Sequence, residues 1–433
     1  MVASSRTSNL PQKAIIRFPL PYKIGEEHYP GNVDEKLRCE AATYAWLQSH
    51  CPAVPTPRLL GFGFPGGHSF TALKNESFFN RLLWYFRYGI SWISGSELSP
   101  YFVHRRQNLF ELGYLILEFV NEGRMLSESW EEHRLDPKRR SNLYRGLSQI
   151  MLNLASQPLS RIGAWTINNQ GFVSLTNRPL TLCLHQQENL GIRTAMSRQS
   201  TYTSAASYYL DLMACRDNLV RHQPNSIHDD DDGKAQLAAL TTMRALLPKF
   251  ADRPSREGPF ALSLTDLHQS NIFVDDDWHI TKIIDLEWAC ARPLDMLGPP
   301  SWLSGRSLDE IISHLEEYTG LHEEFLKIFK EEEWSGYHSS ERTQLLQKSW
   351  ETGAFWYFQA LDSPSTLFDL FTDHIQPRFA ELDGVSRQEF SCAIAPYWDF
   401  GTLKFIATKV KEQEEYSQQL REIFLAANAM REE

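Results

Sequence analysis

The sequence predicts an α+β protein with a small, strand-rich N-terminal part and a larger, mainly helical C-terminal part. Short apolar runs that stop at proline or glycine characterise the first part, whereas amphipathic repeats of helical period dominate after Pro137. Two further apolar runs near residue 280 predict a β-hairpin within the helical part. We expect residues 1–12 to be disordered, residues 13–120 to form the N-terminal part and residues 121–433 the C-terminal part.

The N-terminal part contains a predicted strand, a helix and a second strand. Lys13 to Pro19 is a short apolar run that ends at a proline, as a strand does. Asp34 to His50 repeats apolar residues on one helical face, with acidic residues in its first turn and a histidine in its last. Tyr114 to Val120 is an almost continuous apolar run, which predicts a buried strand. Asn121 to Gly123 breaks that strand, and we place the boundary between the two parts there.

The glycine motif GFGFPG, Gly61 to Gly66, has the spacing of a dinucleotide-binding loop but predicts a hairpin bend. Such a loop must open a helix at its last glycine. Here Pro65 interrupts the motif, and His68 to Leu73 has the pattern of another strand.

The segment from Asn75 to Gly113 is an insertion rich in aromatic residues. Four arginines are interspersed among them: Arg81, Arg87, Arg105 and Arg106. We expect this insertion to pack against the N-terminal part, because Asn80, Gly89 and Ser91 interrupt its apolar face. A helix lying on a membrane surface is the alternative.

The C-terminal part opens with a strong helical pattern from Pro137 to Ser156. Arg161 to Leu175 predicts a β-hairpin, and Tyr202 to Arg221 and Ala235 to Phe250 predict helices. The run HDDDDG, His228 to Gly233, lacks the ligands of a calcium-binding EF-hand, so we expect a flexible acidic loop there.

The stretch from Ser263 to Glu287 carries the residues that predict chemistry. Asp266 and Asn271 precede its first apolar run, and Asp285 follows its second, with an acidic turn between the runs. Pairing the runs as a hairpin brings these three side chains to one end. Oxygen ligands of this kind suit Mg²⁺, which usually keeps substrate phosphates in its shell. The sequence therefore predicts a magnesium and phosphate site there.

This compound pattern, D-x-H-x-x-N, a hairpin and then I-D-x-E, resembles the catalytic loop of the aminoglycoside phosphotransferase family. The matching residues are Asp266, His268, Asn271, Asp285 and Glu287. The resemblance implies a protein-kinase-like, two-lobed fold with a small β-rich N-lobe and a large helical C-lobe. It also implies that Asp266 is the catalytic base for a substrate hydroxyl and that Asn271 and Asp285 hold Mg²⁺. His268 either places a cation near the γ-phosphate or braces the loop, and we favour bracing.

The resemblance further implies that ATP binds between the lobes. Arg17, on the first strand, is expected to grip phosphates and to pair with Glu40 on the following helix. The backbone of the hinge, Glu118, Phe119 and Val120, is expected to bind adenine.

The leading functional expectation is ATP-dependent phosphoryl transfer to a hydroxyl of a small molecule. However, the twelve residues ahead of Lys13 contain no glycine, so the glycine-rich strands that cover the phosphates in this fold are not found in the sequence. Either the chain is truncated or the lid is lost. The alternative function is therefore that of a catalytically inactive, kinase-like binding protein.

Composition limits the partners. The formal net charge of −11 and the pI near 5.7 argue against a broad nucleic-acid surface and are compatible with a cationic substrate. Six scattered cysteines without a CxxC pair indicate a reducing, cytoplasmic environment. Neither a secretory signal nor a run of apolar residues long enough to span a membrane is evident.

Overall fold

The computed structural model describes residues 13–105, 110–251, 253–363, 365–379 and 386–432. The segment 1–12, predicted to be disordered, and Arg106 lie outside these residues. Within them, the chain is an α+β protein with small antiparallel sheets and a predominantly helical C-terminal part, as the sequence predicts.

The described strands, numbered in chain order, are β1 (Ala14–Arg17), β2 (Leu59–Gly63), β3 (His68–Ala72), β4 (Glu97–Leu98), β5 (Tyr101–Arg105), β6 (Tyr114–Glu118), β7 (Arg124–Met125), β8 (Ala164–Ile167), β9 (Phe172–Asn177), β10 (Phe260–Leu264), β11 (Ile272–Val274), β12 (Ile280–Ile283) and β13 (Ala289–Pro293).

The described α-helices are α1 (Asn32–His50), α2 (Phe78–Ser94), α3 (Leu126–His133), α4 (Pro137–Ala155), α5 (Leu182–Asn189), α6 (Ala205–His222), α7 (Asp230–Phe250), α8 (Leu308–Ser313), α9 (Leu315–Tyr337), α10 (Glu341–Thr352), α11 (Ala354–Asp362), α12 (Leu367–Leu370), α13 (Arg387–Ile394) and α14 (Thr402–Glu432).

The N-terminal part is built on a five-stranded antiparallel sheet in the order β1-β6-β2-β3-β5. The predicted strands at Lys13 and Tyr114 are confirmed as β1 and β6, and the predicted hairpin bend after Gly63 joins β2 to β3. Residues of β6 alternate between buried and half-buried, because only one face of the sheet lies against the core. The strand is therefore less completely buried than its apolar run predicts.

Helix α1 packs between the sheet and the β8–β9 hairpin, and most of its side chains are buried. That hairpin, predicted from the sequence, also pairs with β4. Because β4 belongs to the N-terminal part and β9 to the C-terminal part, the two parts share this small sheet.

Helix α2 corrects part of the prediction for the aromatic insertion. The insertion does join the N-terminal part, because its strand β5 pairs with β3, but among the seventeen residues of α2 only Trp84 and Ser91 are buried. Its apolar side chains face outward instead, since the interrupting residues Asn80 and Ser91 lie on the inner side. The polar residues thus lie on the side of α2 that packs against the rest of the chain.

The acidic run before α7 is a second correction. Asp229 caps the helix, and its side chain accepts a hydrogen bond from the Asp232 backbone N–H at 2.9 Å. Asp230, Asp231 and Asp232 occupy the first turn, where negative charge is favoured by the helix dipole. The predicted flexible loop is therefore the beginning of a helix.

The predicted helix from Pro137 is confirmed as α4, which packs against α9. The apolar core continues without a break from α1 into the helices of the C-terminal part. None of the helices in the described ranges combines the length and apolar character needed to cross a membrane.

Candidate active site

Two strand pairs bring the ends of the predicted catalytic stretch together. In the β10–β13 pair Leu264 lies opposite Ala289, and in the β11–β12 pair Ile272 lies opposite Ile283. The two loops between these pairs, residues 265–271 and 284–288, must therefore run side by side. The Thr265 hydroxyl donates to the backbone carbonyl of Trp288 at 2.5 Å and joins them directly.

Asp266, His268 and Asn271 form one hydrogen-bonded loop. The Asn271 amide Nδ2 donates to the Asp266 carbonyl at 2.9 Å and lies 3.2 Å from His268 Nε2. His268 Nδ1 accepts from the Ser270 N–H at 3.3 Å, whereas His268 Nε2 is 3.8 Å from the Asp266 carboxylate. The imidazole contacts its own loop, as a bracing residue does. Burial raises the pKa of Asp266 above its ordinary value, although His268 opposes the rise.

Arg17 lies at the end of β1, and its guanidinium contacts three carboxylates. Nη1 is 2.8 Å from Glu40 Oε1. Nη2 is 2.9 Å from Asp285 Oδ1 and 3.4 Å from Glu287 Oε2. The Glu40 carboxylate raises the pKa of Arg17, and burial raises the pKa of Glu40. The structure thus brings Arg17 and Glu40 together, and it also places this cation on Asp285, the predicted metal ligand.

Lys36 and Glu287 complete this charged cluster. Glu287 is the last residue of the compound motif, whereas Lys36 was not predicted to lie at the site. Lys36 Nζ lies 2.6 Å from Glu287 Oε2, and both side chains are nearly buried. Burial, followed by the Glu40 carboxylate, raises the pKa of Glu287 to about 8, and Lys36 opposes this shift. The available signal was spacing, because Lys36 and Glu40 are four residues apart and share one face of α1.

Arg58 binds Glu118, the first residue of the predicted hinge. Its guanidinium donates two hydrogen bonds to the Glu118 carboxylate, with Nη2 2.6 Å from Oε1 and Nε 2.9 Å from Oε2. The Glu118 backbone N–H donates to the Arg58 carbonyl at 2.9 Å. The Glu118 N–H is therefore already engaged, so N–H donors for a base at the predicted hinge would have to come from the backbones of Phe119 and Val120.

The hairpin that carries the site is anchored by Trp278, which follows the acidic turn and for which no role was predicted. Its side chain is completely buried and stacks on Trp130, with ring centroids 5.5 Å apart. Its Nε1 donates to the Ser129 hydroxyl at 3.0 Å. Trp278 has a φ of 65°, a left-handed conformation that turns its ring inward. The hairpin tip is consequently fixed to α3.

The donor atoms at this site fit Mg²⁺. Within the described ranges, no group of three or more His, Cys, Asp and Glu side chains is arranged to hold a metal ion. Mg²⁺ does not require such a group, because proteins often bind it through one or two side chains and substrate phosphates. Since Nδ2 of Asn271 is engaged, its Oδ1 is the atom left to contact a cation, and Asp285 has a second carboxylate oxygen that Arg17 does not contact.

A cavity of about 1000 Å³ adjoins the loop of Asp266. Thr265 and Leu267, on either side of Asp266 in the chain, both line it. Of the described lining residues only Arg292 and Asp362 are charged, and they form an ion pair with each other. The other walls are apolar, or carry amides and hydroxyls. They include Met151, Leu154, Gln186, Leu190, Gln223, Leu297, Trp302, Gln359 and Ser363.

A buried ionic network fixes α1 from its other side. The Arg178 guanidinium lies 2.8 Å from Glu35 Oε2 and 2.6 Å from Glu188 Oε1, and all three side chains are almost fully buried. Arg198 adds a 3.1 Å contact to Glu35, and Asn32 donates to Glu188 at 2.8 Å. Sequence reasoning missed this network because its partners are far apart in the chain. It determines where α1 presents Lys36 and Glu40.

Comparison with known proteins adds no assignment. No family model matches the chain, and no curated protein matches its sequence.

Proposed function

We propose that this chain transfers the γ-phosphoryl group of ATP to a hydroxyl of a small molecule, with Mg²⁺ held by Asn271 and Asp285. The observation that carries the proposal is the convergence of Asp266, Asn271 and Asp285 on a charged cluster that includes Arg17 and Glu40. An acid, an amide and a phosphate-binding cation at one place are the recurring parts of phosphoryl-transfer sites.

The arrangement around this cluster supports a two-lobed, protein-kinase-like fold. Arg17 on β1 pairs with Glu40 on α1, as a strand cation pairs with a helix carboxylate in protein kinases. Strand β6 lies beside β1 and leads through Phe119 and Val120 into the C-terminal part. The nucleotide then lies between the sheet and the hairpin loops, with its base at these two residues and its phosphates toward Arg17.

Asp266 orients the acceptor hydroxyl and takes its proton. Its raised pKa makes it a stronger base than an ordinary aspartate. Mg²⁺, when bound, neutralises charge on the phosphate oxygens. His268 braces the loop through Ser270 and Asn271, which keeps Asp266 in position. Arg17 bridges Asp285 and Glu287, and Lys36 adds a second ion pair to Glu287.

The cavity beside Asp266 is the site we propose for the acceptor. Its walls carry amides, hydroxyls and apolar groups, and its two charged residues neutralise each other. An ammonium group would lose its hydration there without gaining a carboxylate, which is costly. We therefore expect a neutral, partly apolar alcohol rather than the cationic substrate that the acidic composition allows. The six cysteines are free thiols, which fits a cytoplasmic enzyme supplied with ATP.

A second candidate is a kinase-like binding protein without activity, and one observation favours it. Arg17 Nη2 lies 2.9 Å from Asp285 Oδ1, so the arginine side chain already neutralises the carboxylate that was predicted to bind the metal.

Thermal unfolding with and without Mg·ATP separates these candidates. A phosphotransferase is stabilised by Mg·ATP, because binding to the folded state raises the unfolding temperature. ADP release with a panel of neutral and cationic alcohols then tests turnover. Asp266→Asn should abolish release with little change in stability, whereas Asp276→Asn, at a 97% exposed position in the hairpin turn, should not. Unchanged melting with Mg·ATP, or full turnover by Asp266→Asn, contradicts the proposal.

A further inference from the structure

Helix α2 carries an apolar surface that the described part of the protein leaves uncovered. Ten of its seventeen residues are large apolar or aromatic side chains that are 46–82% exposed. They are Phe78, Phe79, Leu82, Leu83, Tyr85, Phe86, Tyr88, Ile90, Trp92 and Ile93. Contiguous apolar surface of this extent on a folded protein marks an interaction site.

The orientation of α2 is fixed by contacts from its inner side. Trp84 Nε1 donates to the Ser99 carbonyl at 3.0 Å. Arg81 Nε donates to the Leu73 carbonyl at 3.1 Å, and Arg87 Nη2 donates to the Gln170 carbonyl at 2.7 Å. These bonds use the polar residues and the one buried tryptophan, so the apolar residues are directed outward.

The exposed arc is wide. With 3.6 residues per turn, the outer path from Arg81 round to Arg87 covers about two thirds of the helix circumference. Every residue on that path except Gly89 and Ser94 is aromatic or aliphatic. One folded partner covers only one side of such a convex ridge, whereas the fluid interface of a bilayer surrounds it. Tyrosine and tryptophan on this arc suit the boundary between headgroups and acyl chains.

Charge around α2 also fits a phosphate headgroup layer. The helix contains no acidic residue, although the chain as a whole carries a formal net charge of −11. Arg81 and Arg87 lie at the two edges of the apolar arc, where each guanidinium is bonded to a backbone carbonyl, so their positive charges border the arc on both sides. Exposed Lys74 and Arg105 lie on neighbouring segments. Glu76, just before the helix, is engaged by His104 at 2.7 Å.

From this surface we infer that α2 is a membrane-surface anchor: it lies in the plane of a phospholipid interface, with its apolar arc inserted and Arg81 and Arg87 at headgroup level. This role is independent of the proposed phosphotransferase activity. It places the site near a bilayer without any segment crossing it, in keeping with the finding on the described helices.

Co-sedimentation of the full chain with vesicles of phosphatidylcholine, with and without phosphatidylserine, tests the inference. The test variant combines Phe79→Glu with Phe86→Glu, both at exposed positions, so that folding is retained and verified by circular dichroism. Phe400→Glu is the matched control, because Phe400 is fully exposed on the segment before α14. We expect the unaltered chain and the control to bind vesicles, and the partition coefficient of the test variant to fall by a factor of ten or more, about what removing one or two buried aromatic rings predicts.

Three outcomes overturn the inference: the unaltered chain stays in the supernatant, the test variant binds as well as the unaltered chain, or the control loses binding equally. Light scattering after size-exclusion chromatography measures the oligomeric state and so distinguishes lipid from a second copy of the chain as the partner of α2. A dimer that the test variant converts to a monomer, without vesicle binding by the unaltered chain, shows that a second copy covers α2 instead of lipid.

Discussion

Replacing Arg178 by methionine is the sharpest test of how the site is held. Arg178→Met keeps much of the side-chain volume but removes the cation between two buried carboxylates, Glu35 and Glu188, which are 6% and 3% exposed. Removing one partner of a buried ion pair lowers the free energy of unfolding by about 3–5 kcal/mol. Each carboxylate keeps other donors, Arg198 for Glu35 and Asn32 for Glu188, so we expect the lower end, about 3 kcal/mol.

Urea denaturation of the full chain measures this loss. The matched control is Arg145→Met, which removes an ion pair to Glu332 from a 44% exposed arginine and should cost at most about 1 kcal/mol. A deficit no larger than that of the control refutes the reasoning.

Three further predictions concern the site and its surroundings. The pKa of Glu287 is raised from 4.5 to about 8 in the folded protein, so ionisation of Glu287 lowers the stability of the protein as pH rises between these values. Glu287→Gln should therefore reduce the decline of melting temperature with pH. A decline equal to that of the unaltered chain contradicts this prediction. Trp278→Ala should cost about 3–5 kcal/mol in chemical denaturation, because a wholly buried indole is removed, and a change under about 1 kcal/mol would show that the hairpin tip is not anchored. In equilibrium dialysis below micelle formation, neutral octyl glucoside should bind more tightly than its 2-amino-2-deoxy analogue. Leu190→Glu, at the cavity, should make the amine bind more tightly than the neutral glycoside, whereas the control Leu210→Glu, on the exposed surface of α6, should not. Tighter binding of the amine by the unaltered chain argues against a neutral acceptor.

The fold was predictable where local pattern decides it. The strand before Arg17, helices α1 and α4, and the β8–β9 and β11–β12 hairpins follow from apolar periodicity and turn residues, which act over a few positions. The residues of the compound motif could likewise be named, because the strand pairs that flank them impose their proximity. The contact between Arg17 and Glu40 followed only from a family resemblance, since their separation in the chain gives no local signal.

The remainder depended on tertiary context. Lys36, Arg178 and Trp278 owe their roles to partners that other elements bring to them, and single-sequence patterns do not specify such partners. The outward apolar face of α2 was missed because we took Asn80, Gly89 and Ser91 as interruptions of that face, whereas Asn80 and Ser91 lie on the inner side of the helix. The start of α7 was missed because a run of acids was taken as solvated, although a helix N-terminus favours them.

Asp285, the proposed metal ligand, has an unfavourable backbone conformation. It has a φ of 63°, a left-handed conformation that glycine and asparagine adopt more readily than aspartate. A library screened only for resistance to heat would therefore enrich glycine or asparagine at position 285, and the selected proteins would melt later yet lack the carboxylate. Thermostability is thus a misleading criterion for improving this protein, and any stabilised version should hold residue 285 constant.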